Sequence, residues 1–400
     1  MDTLFILGRQ PEIGLAELEA LSDSSSVRQI NDTCATGKVD IAFSRLGSSQ
    51  KSGPILAVYN TTDIHKVFAS LTNEIPSLIA NMPTEGKVKL GASLYGFDAT
   101  AYTLQGELLR LKKYLRNHGR SARVIPNETV ALSSATTYHN HLTRELGLEF
   151  ALVRDGKQTI VARMINVQDI DNYRIRDRER PKRDAFVGML PPKLAQTMIN
   201  LAQVQHQQAL WDPFCGTGVI LMEAMLQGIS VYGSDVSEKM VKYTDLNIAW
   251  LIQHYNQYFS SNQDVRYETF VGDATKFQLL VEQSSRLQSI VTETYLGQPL
   301  GGQHPSEDKI HDIIRGVNKI SRDFLENVSK QVASGTRHCI AFPAWYIDDH
   351  EYHLPVIDEL ADLGFERISF ASTSNIIYHR EDQITAREIL VLIKKLKNSP

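Results

Sequence analysis

One short run restricts the fold of this chain more than any other: Trp211-Asp212-Pro213-Phe214-Cys215-Gly216-Thr217-Gly218. An apolar run follows at 219–222, and Asp235 comes directly after a second apolar stretch at 231–234. The pattern predicts a strand, a glycine turn, a helix and a second strand that ends in an acid, which is the layout of a nucleotide-binding βαβ unit. Glycines let the backbone approach a ligand at the helix N-terminus, and an acid at the next strand end can bind both hydroxyls of a ribose. The run therefore predicts a ligand that contains ribose.

The residues around the turn narrow the choice of ligand. A dinucleotide site requires a third glycine where this chain has Leu221, and the Gly-Lys-Ser/Thr of a phosphate-binding loop is absent. Asp212 precedes the turn, where it would repel a phosphate and attract a cation. S-adenosylmethionine, which carries an amino group, a sulfonium and a ribose, fits this arrangement best. The alternative is an ordinary α/β turn without a ligand.

Composition indicates a water-soluble protein of two or three domains. The 400 residues are 42% hydrophobic and 22% charged, which is enough chain for separate cores. The three cysteines are an odd number at spacings that suit neither a disulfide framework nor a zinc site, so we expect a reducing cytoplasm and no metal. The N-terminus has no basic flank and only a short apolar stretch, so we expect neither export nor a membrane span. Because the net charge is −4, a nucleic acid would need a local basic patch.

Residues 1 to about 170 alternate short strand and helix patterns, which indicates a small α+β region or a pair of such domains. Strands are predicted at 4–7, 53–59, 87–94, 122–125, 150–153 and 159–167, and helices at 11–21, 62–71, 104–118 and 136–146. Residues 173–184 then hold a dense basic run, which predicts an exposed linker.

Beyond the linker the pattern becomes that of a doubly wound sheet. A helix is predicted from Pro191, and others near 309–333 and 355–363. Strands are predicted at 209–211, 267–271, 289–292, 338–342, 365–371 and 389–393. The last two would form a pair that makes this edge of the sheet antiparallel.

These motifs together resemble the THUMP-domain tRNA guanosine-10 N2-methyltransferases. The resemblance covers nearly the whole chain and rests on Tyr173 and on the runs 4–9, 15–20, 167–169, 176–178, 180–184, 189–195 and 212–218. It implies an α/β protein with an N-terminal ferredoxin-like domain at 1–75, a THUMP RNA-binding domain at 76–170, a basic linker at 171–188 and a Rossmann-like class I methyltransferase domain at 189–400. That last domain would hold a doubly wound seven-stranded sheet with an antiparallel edge strand.

The resemblance also implies a cofactor site for S-adenosyl-L-methionine at the ends of the first strands of the methyltransferase domain. Asp235 would bind the ribose and Asp273 would lie near the adenine, although an aspartate after a strand is also a common helix cap. The predicted cofactor-binding residues are Asp212, Phe214, Cys215, Gly216, Thr217, Gly218, Asp235, Asp273 and Ala274.

The chain departs from the family at the tip of the fourth strand. Members usually carry Asp or Asn, two prolines and an aromatic residue there, which accept hydrogen bonds from the target amine and stack the base. This chain has Thr292-Glu293-Thr294-Tyr295. Tyr295 keeps the aromatic position, and Glu293 can supply the acceptor because methyl transfer to an amine depends on alignment more than on a strong base. We therefore predict Thr292, Glu293 and Tyr295 as catalytic residues; the alternative is a strand end with a solvated glutamate.

Two basic groups are candidates for RNA contact. The first comprises Arg174, Arg176, Arg178, Lys182 and Arg183, and the second Lys112, Lys113, Arg116, Arg120 and Arg123. Each would contribute salt-sensitive affinity for phosphates, but a solvated linker and a soluble helix face explain them nearly as well.

The sequence thus predicts a cytoplasmic tRNA (guanine-N2-)-methyltransferase, with tRNA as partner and, as in some relatives, a small activating subunit. Two alternatives stay open. One is a DNA adenine or cytosine amino-methyltransferase, which shares the catalytic layout. The other is a tRNA-binding relative that has lost catalysis through its altered fourth-strand tip.

Overall fold

The computed structural model describes residues 2–22, 26–184, 189–280, 287–298, 307–347, 350–373, 375–380 and 383–396. The chain forms two compact units, one of Met1–Ser44 with Ser48–Asn172 and the other of Arg45–Gly47 with Tyr173–Pro400. In the described part of the chain, no helix has both the length and the apolar character needed to cross a bilayer.

The first unit is built on one mixed sheet. Its strands are β1 (Thr3–Leu7), β2 (Arg28–Asn31), β3 (Cys34–Gly37), β4 (Ser49–Tyr59), β5 (Val88–Tyr95), β6 (Ala122–Val124), β7 (Gly147–Asp155), β8 (Gln158–Met164) and β9 (Asn166–Val167). Its helices are α1 (Pro11–Ala20), α2 (Ile64–Leu71), α3 (Ile75–Ile79), α4 (Ala101–Asn117) and α5 (Ser134–His139), followed at the end of the unit by α6 (Ile170–Arg174). The strand order is β2-β3-β1-β4-β8-β7-β5-β6, with β9 beside β4.

Strand β4 joins the two parts of this sheet. Its first half pairs with β1, and its second half pairs with β8. The predicted division into domains at 1–75 and 76–170 therefore divides strands of one continuous sheet, and it stays a prediction. Apolar side chains of α2, α4, β5 and β7 form the core on one face.

The predicted helix at 136–146 is too long. Helix α5 begins after Ser133, whose Oγ accepts a hydrogen bond from the N–H of Thr136, and it ends at His139. His141 then adopts a φ of 57°, in the left-handed region, which interrupts the helical ladder. Turns lead from there into β7.

The second unit is a doubly wound sheet. Its strands are β10 (Ala209–Asp212), β11 (Ser230–Asp235), β12 (Tyr267–Val271), β13 (Leu287–Glu293), β14 (Arg337–Ile347), β15 (His350–Tyr352), β16 (Phe365–Arg367), β17 (Ile377–Tyr378) and β18 (Thr385–Lys394). Its α-helices are α7 (Pro192–Leu201), α8 (Val219–Met225), α9 (Glu238–His254), α10 (Asn256–Ser261) and α11 (Glu307–Val328), and a 3-10 helix spans Pro355–Glu359.

Seven of these strands form the main path, in the order β12-β11-β10-β13-β14-β18-β16. The first five are parallel, and β18 runs antiparallel between β14 and β16. The short strands β15 and β17 extend the sheet beside β14 and β18. The predicted strand at 365–371 is shorter than expected, and the predicted helix at 355–363 is the short 3-10 turn. Buried aromatic and aliphatic side chains, among them Trp211, Phe324 and Phe342, fill the core.

The basic segment at 173–184 is part of the second unit and is not an exposed linker. Residues Ile175–Glu179 form a π-helical turn directly after α6, and Arg176 and Arg180 are buried. The Nε of Arg176 donates to Oε1 of the buried Glu223 at 2.7 Å, because a buried guanidinium requires a counter-charge. The prediction of a solvated linker is therefore wrong for these two arginines, and residues 185–188 lie outside the described residues.

Candidate functional site

The glycine turn connects β10 to α8 and requires its glycines. Gly216 and Gly218 have φ values of 51° and 80°, and Gly218 is the N-terminal cap of α8. A Cβ at Gly218 would lie 2.9 Å from Cγ2 of Thr244 on α9. The turn is thus both left-handed and closely packed, which a glycine tolerates and other residues do not.

Two buried polar residues of α9 fix this turn. Thr244 donates to the carbonyl of Gly216 at 3.0 Å, and Asn247 donates to the carbonyl of Thr217 at 2.8 Å. Asn247 also accepts from the N–H of Lys182 and donates to its carbonyl, both at 2.9 Å. One side chain therefore joins the basic segment to the glycine turn. Sequence reasoning missed both residues, although two polar residues three apart on the apolar face of a helix were a usable signal.

Asp212, at the end of β10, is almost completely buried beside the turn. Its Oδ1 accepts hydrogen bonds from the N–H of Phe214 at 3.2 Å and from Oγ1 of Thr292 at 2.6 Å. Burial raises the pKa of this carboxyl to about 7, and the two hydrogen bonds limit the increase. Asp212 can therefore change its charge near neutral pH.

Asp235, at the end of β11, faces the same turn. Its Oδ2 accepts from the N–H of Gly216 at 3.0 Å and its Oδ1 from the N–H of Ser237 at 2.9 Å. Burial raises the pKa of this carboxyl, and the two N–H groups oppose that shift. These contacts orient the carboxylate across the mouth of the turn.

Asp273 follows β12 and caps a turn. Its Oδ1 accepts from the N–H of Thr275 at 3.0 Å and from Oγ1 of Thr275 at 2.7 Å, and the hydrogen bonds from Thr275 lower its pKa. Asp273 thus caps a turn, and no helix follows it among the described residues up to 280. Its place on the wall of the cavity keeps the predicted ligand contact available as well.

A cavity of about 870 Å³ lies over these strand ends. Ten of the twelve residues predicted for cofactor binding and catalysis line it: Asp212, Phe214, Cys215, Gly216, Thr217, Asp235, Asp273, Ala274, Glu293 and Tyr295. Gly218 lies behind the wall as the helix cap. Leu190, Ile220, Met240 and Ile320 add apolar surface. The cavity has the size and the mixed lining of a small-molecule site.

The cations on the wall of the cavity are already paired. Lys239 contacts Asp184 at 2.8 Å, and Lys319 contacts Asp323 at 2.7 Å. Burial raises the pKa of the Cys215 thiol well above its usual range, so Cys215 contributes shape rather than a thiolate. The carboxylates of Asp212 and Asp235 therefore dominate the charge at the strand ends.

The tip of β13 is held by three separate contacts. Thr292 is fully buried and donates to Asp212, Glu293 forms an ion pair with Arg387 of β18, and the N–H of Thr294 donates to the carbonyl of Ala341 at 3.0 Å. Tyr295 is 43% exposed on the wall of the cavity. The prediction that Thr292 contacts the substrate directly is therefore wrong, because its buried hydroxyl donates to Asp212.

The predicted RNA-binding residues of the second unit separate into two groups. Arg176 is buried against Glu223 and is unsuited to contact RNA. Arg174 is exposed but pairs with Glu179 at 2.6 Å. Arg178 and Arg183 are exposed, and Lys182 is partly buried with its Nζ over the ring of Tyr243.

The second basic group lies in the first unit, on the end of α4, the loop that follows and β6. Lys113, Arg116 and Arg123 are exposed there. Lys112 and Arg120 are partly buried, and Arg120 donates to the carbonyl of Pro83 at 2.6 Å. Three of its five members are thus available on the surface.

The fold is similar to that of solved methyltransferases. TrmN from Thermus thermophilus matches over 98% of this chain and 100% of its own, with a TM-score of 0.52 at 15% identity. A possible methylase from Clostridium difficile 630 matches over 100% of this chain and 99% of its own, with a TM-score of 0.52 at 13% identity. At such low identity the similarity concerns the fold alone, and it confirms the predicted Rossmann-like class I methyltransferase fold.

Sequence comparison finds similarity to the same class of protein. Residues 180–288 match the family UPF0020, described as an RMKL-like methyltransferase domain. A tRNA (guanine(10)-N2)-dimethyltransferase of Methanothermobacter thermautotrophicus is 30% identical over 203 residues, which are 50% of this chain and 49% of that protein. A protein of the same name from Pyrococcus abyssi is 38% identical over 89 residues, 22% of this chain and 23% of that protein. The chain therefore matches at most about half the length of these relatives.

Proposed function

Because the chain carries the methyltransferase domain of the UPF0020 family and is a relative of the tRNA (guanine(10)-N2)-dimethyltransferases, we propose that it methylates the N2 amine of a guanosine, at position 10, in tRNA. The methyl donor is S-adenosyl-L-methionine. The reaction takes place in the cytoplasm, and a small activating subunit is a further candidate partner.

The observation that carries the proposal is the convergence of Asp212, Asp235 and the glycine turn on one cavity. The donor set fits S-adenosylmethionine: acids for its cationic groups and ribose, a glycine turn for close approach, and apolar walls for a flat base. When bound, this group supplies an electrophilic methyl, so that an N–C bond forms while the S–C bond breaks and S-adenosylhomocysteine remains.

Asp212, Asp235 and Asp273 have separate roles in the proposed site. Asp235 is oriented by two N–H groups and presents its carboxylate to the ribose hydroxyls. Ionised Asp212 stabilises positive charge near the turn, and Asp273 with Ala274 borders the adenine end. Phe214, Cys215 and Thr217 shape the wall between them.

Glu293 and Tyr295 act on the target base. Glu293 lines the cavity at the tip of β13 and accepts the hydrogen bond, and then the proton, of the attacking amine. The exposed ring of Tyr295 stacks on the guanine, as aromatic side chains do with flipped bases. Thr292 acts indirectly through its hydrogen bond to Asp212.

The surface cations bind the tRNA backbone. The exposed Arg178 and Arg183, together with the partly buried Lys182, lie in the segment that Asn247 joins to the glycine turn. Lys113, Arg116 and Arg123 provide a second set in the first unit. Neutralising phosphates with these side chains makes the affinity fall steeply with salt.

A second candidate is a tRNA-binding protein without turnover. The observation that favours it is the strand tip itself, where Thr292 is buried and one oxygen of Glu293 is occupied by Arg387. This candidate predicts tRNA binding and cofactor binding with no methyl transfer. A DNA amine methyltransferase, the third possibility, predicts transfer to single-stranded DNA instead.

The decisive experiment is transfer of tritiated methyl from S-adenosylmethionine to unmodified tRNA, followed by nucleoside mass spectrometry. The variants are Asp212→Ala and Glu293→Ala, with Glu326→Ala on the exposed face of α11 as the matched control. We expect N2-methylguanosine from the wild type and the control, and at least about a hundredfold loss in both site variants.

Single-stranded DNA and a tRNA in which guanosine 10 is replaced by adenosine serve as alternative substrates. Methylation of the DNA alone would favour the DNA enzyme. Binding of tRNA without methylation, also after addition of extract from the source cells, would favour the non-catalytic relative.

A further inference from the structure

The ion pair between Glu293 and Arg387 is the feature of the cavity that the proposed function leaves unexplained. The Nε of Arg387 donates to Oε1 of Glu293, and both side chains are almost completely buried, at 7% and 12% exposure. Glu293 is the last residue of β13 and Arg387 lies on β18, with β14 between these strands. The pair therefore connects the catalytic strand tip to the antiparallel part of the sheet.

Arg387 is held rigidly before any substrate arrives. Its backbone pairs with Pro343 of β14 on one side and with Tyr378 of β17 on the other. Its guanidinium lies 5.8 Å from the centre of the Tyr378 ring, within the range of a cation–π contact. The strand pairing fixes the backbone of Arg387, and the ring of Tyr378 favours the orientation in which the guanidinium binds a carboxylate.

The charges around Glu293 explain why it needs this partner. Glu293 shares the cavity with Asp212, and the two carboxylates repel each other enough that Glu293 contributes to the raised pKa of Asp212. The lysines of the cavity wall, Lys239 and Lys319, are paired with other acids. Arg387 therefore supplies the counter-charge of Glu293.

We propose that Arg387 is a positioning residue for methyl transfer: it holds Oε1 of Glu293, so that Oε2 is presented to the amine of the base. Oε2 has no hydrogen-bond partner among the residues that the structure describes. The amine loses one proton to Oε2 as its nitrogen gains the methyl group, and Arg387 takes no proton itself. This inference rests on the proposed function for its substrate and adds a residue from β18, which no sequence motif indicates.

The test uses Arg387→Gln, Arg387→Lys, Glu293→Gln and the double variant Glu293→Gln with Arg387→Gln in the full chain. The matched control is Arg367→Gln, because Arg367 lies on β16 of the same sheet and pairs with Glu388, which does not line the cavity. Thermal unfolding selects a temperature at which every variant is folded.

The first readout is the rate of single-turnover methyl transfer to tRNA at saturating cofactor. We expect Arg387→Gln to lower this rate about tenfold, because Glu293 is then no longer held in place, and Arg387→Lys to restore most of it. In the Glu293→Gln background, Arg387→Gln should have no further effect. Additive losses in the double variant, or no rescue by Arg387→Lys, would overturn the proposal.

The second readout does not depend on tRNA. It is the ratio of the affinities for S-adenosylmethionine and S-adenosylhomocysteine by titration calorimetry above pH 8, since only the former carries a sulfonium charge. Arg387→Gln, which removes the cation, should raise this ratio about threefold or more. Addition of Glu293→Gln to Arg387→Gln should reverse the change. An unchanged ratio would contradict the pairing even if tRNA were not the substrate, whereas a changed ratio without methylated tRNA would reject the proposed function alone.

Discussion

Thr292 donates a hydrogen bond of 2.6 Å from Oγ1 to Oδ1 of Asp212, and both residues are buried at the ends of adjacent parallel strands. The bond favours the ionised carboxyl at a position where burial raises its pKa to about 7. A residue of the fourth-strand tip thereby favours the ionised form of the acid that precedes the glycine turn.

Binding of S-adenosylmethionine should therefore depend on the protonation of Asp212. The ligand is a cation, so its affinity should rise as pH increases through about 7, where Asp212 ionises. Thr292→Val removes the hydrogen bond and should move the midpoint of this pH dependence to higher pH. Asp212→Asn should abolish the pH dependence. Calorimetric titration from pH 6 to pH 9 measures the midpoint. Asp273→Asn is the control, because the pKa of Asp273 is lowered and its removal should weaken binding without moving the midpoint.

Gly218→Ala should destabilise the protein more than Gly335→Ala does. Both glycines have φ near 80°, but a Cβ at Gly335 meets no atom within 4 Å, whereas one at Gly218 lies 2.9 Å from Thr244. Both variants bear the left-handed strain of about 1 kcal/mol, and Gly218→Ala adds a steric clash. Urea unfolding should show a difference of at least about 1 kcal/mol, and only Gly218→Ala should lose cofactor affinity. Equal losses would mean that the contact with Thr244 is unimportant.

Asn247→Ala should lower the free energy of unfolding by about 3 kcal/mol. The substitution leaves the carbonyl of Thr217 and both backbone groups of Lys182 without their hydrogen-bond partner. Asn262→Ala, which removes a more exposed hydrogen bond at the end of α10, should change it by less than about 1 kcal/mol. Chemical denaturation measures both. A small effect at Asn247 would show that the basic segment is held by other contacts.

Arg176→Met should lower the stability of the protein, whereas Arg178→Ala should weaken RNA binding. Arg176→Met leaves Glu223 buried without its counter-charge and should cost about 3–5 kcal/mol of stability, much of which Glu223→Met should restore. Arg178→Ala should leave stability within about 0.5 kcal/mol but weaken tRNA binding and reduce its salt dependence. Filter binding at several salt concentrations, with thermal unfolding alongside, separates them. If the folded double variant Arg176→Met with Glu223→Met bound RNA more weakly than the wild type, Arg176 would again be a candidate RNA contact.

His338 should make the protein less stable in mild acid. Its ring is buried, its Nδ1 accepts from the N–H of Ile290 at 3.0 Å, and burial lowers its pKa from 6.5 to about 3. Between these values the unfolded chain binds a proton that the folded protein excludes, so the free energy of unfolding falls as pH decreases from 6.5, by up to about 1.4 kcal/mol per pH unit. Urea unfolding at pH 7.5, 6 and 5 should show a flatter dependence for His338→Gln than for wild type. His139→Gln, on the exposed end of α5, should retain the wild-type slope.

Much of the candidate site was predictable because it depends on local sequence. The glycine turn, the acids at the ends of β10 and β11, and the aromatic residue after β13 are each marked by neighbours within a few residues. In a parallel doubly wound sheet, the carboxyl ends of the strands lie at one edge. Residues that the sequence marks one by one therefore line the same cavity.

The basic segment shows where local reasoning failed. Its dense charge is typical of a solvated linker, yet Arg176 and Arg180 are buried. Glu223 lies 47 residues further along the chain and faces inward from an otherwise apolar helix. Sequence distance hides such a pair, because nothing near Arg176 indicates that a counter-charge will be supplied.

The sequence alone determined the order of the principal strands and helices, the glycine turn and the chemical types of the residues at the strand ends, since hydrophobic periodicity and backbone preference act over short distances. The tertiary structure alone decided the state of those residues: the buried hydrogen bond of Thr292, the ion pair of Glu293 with Arg387 and the clamp of Asn247 on Lys182. Each of these joins elements that are far apart in the chain, and the burial that requires a polar group to find a partner exists only once those elements pack together.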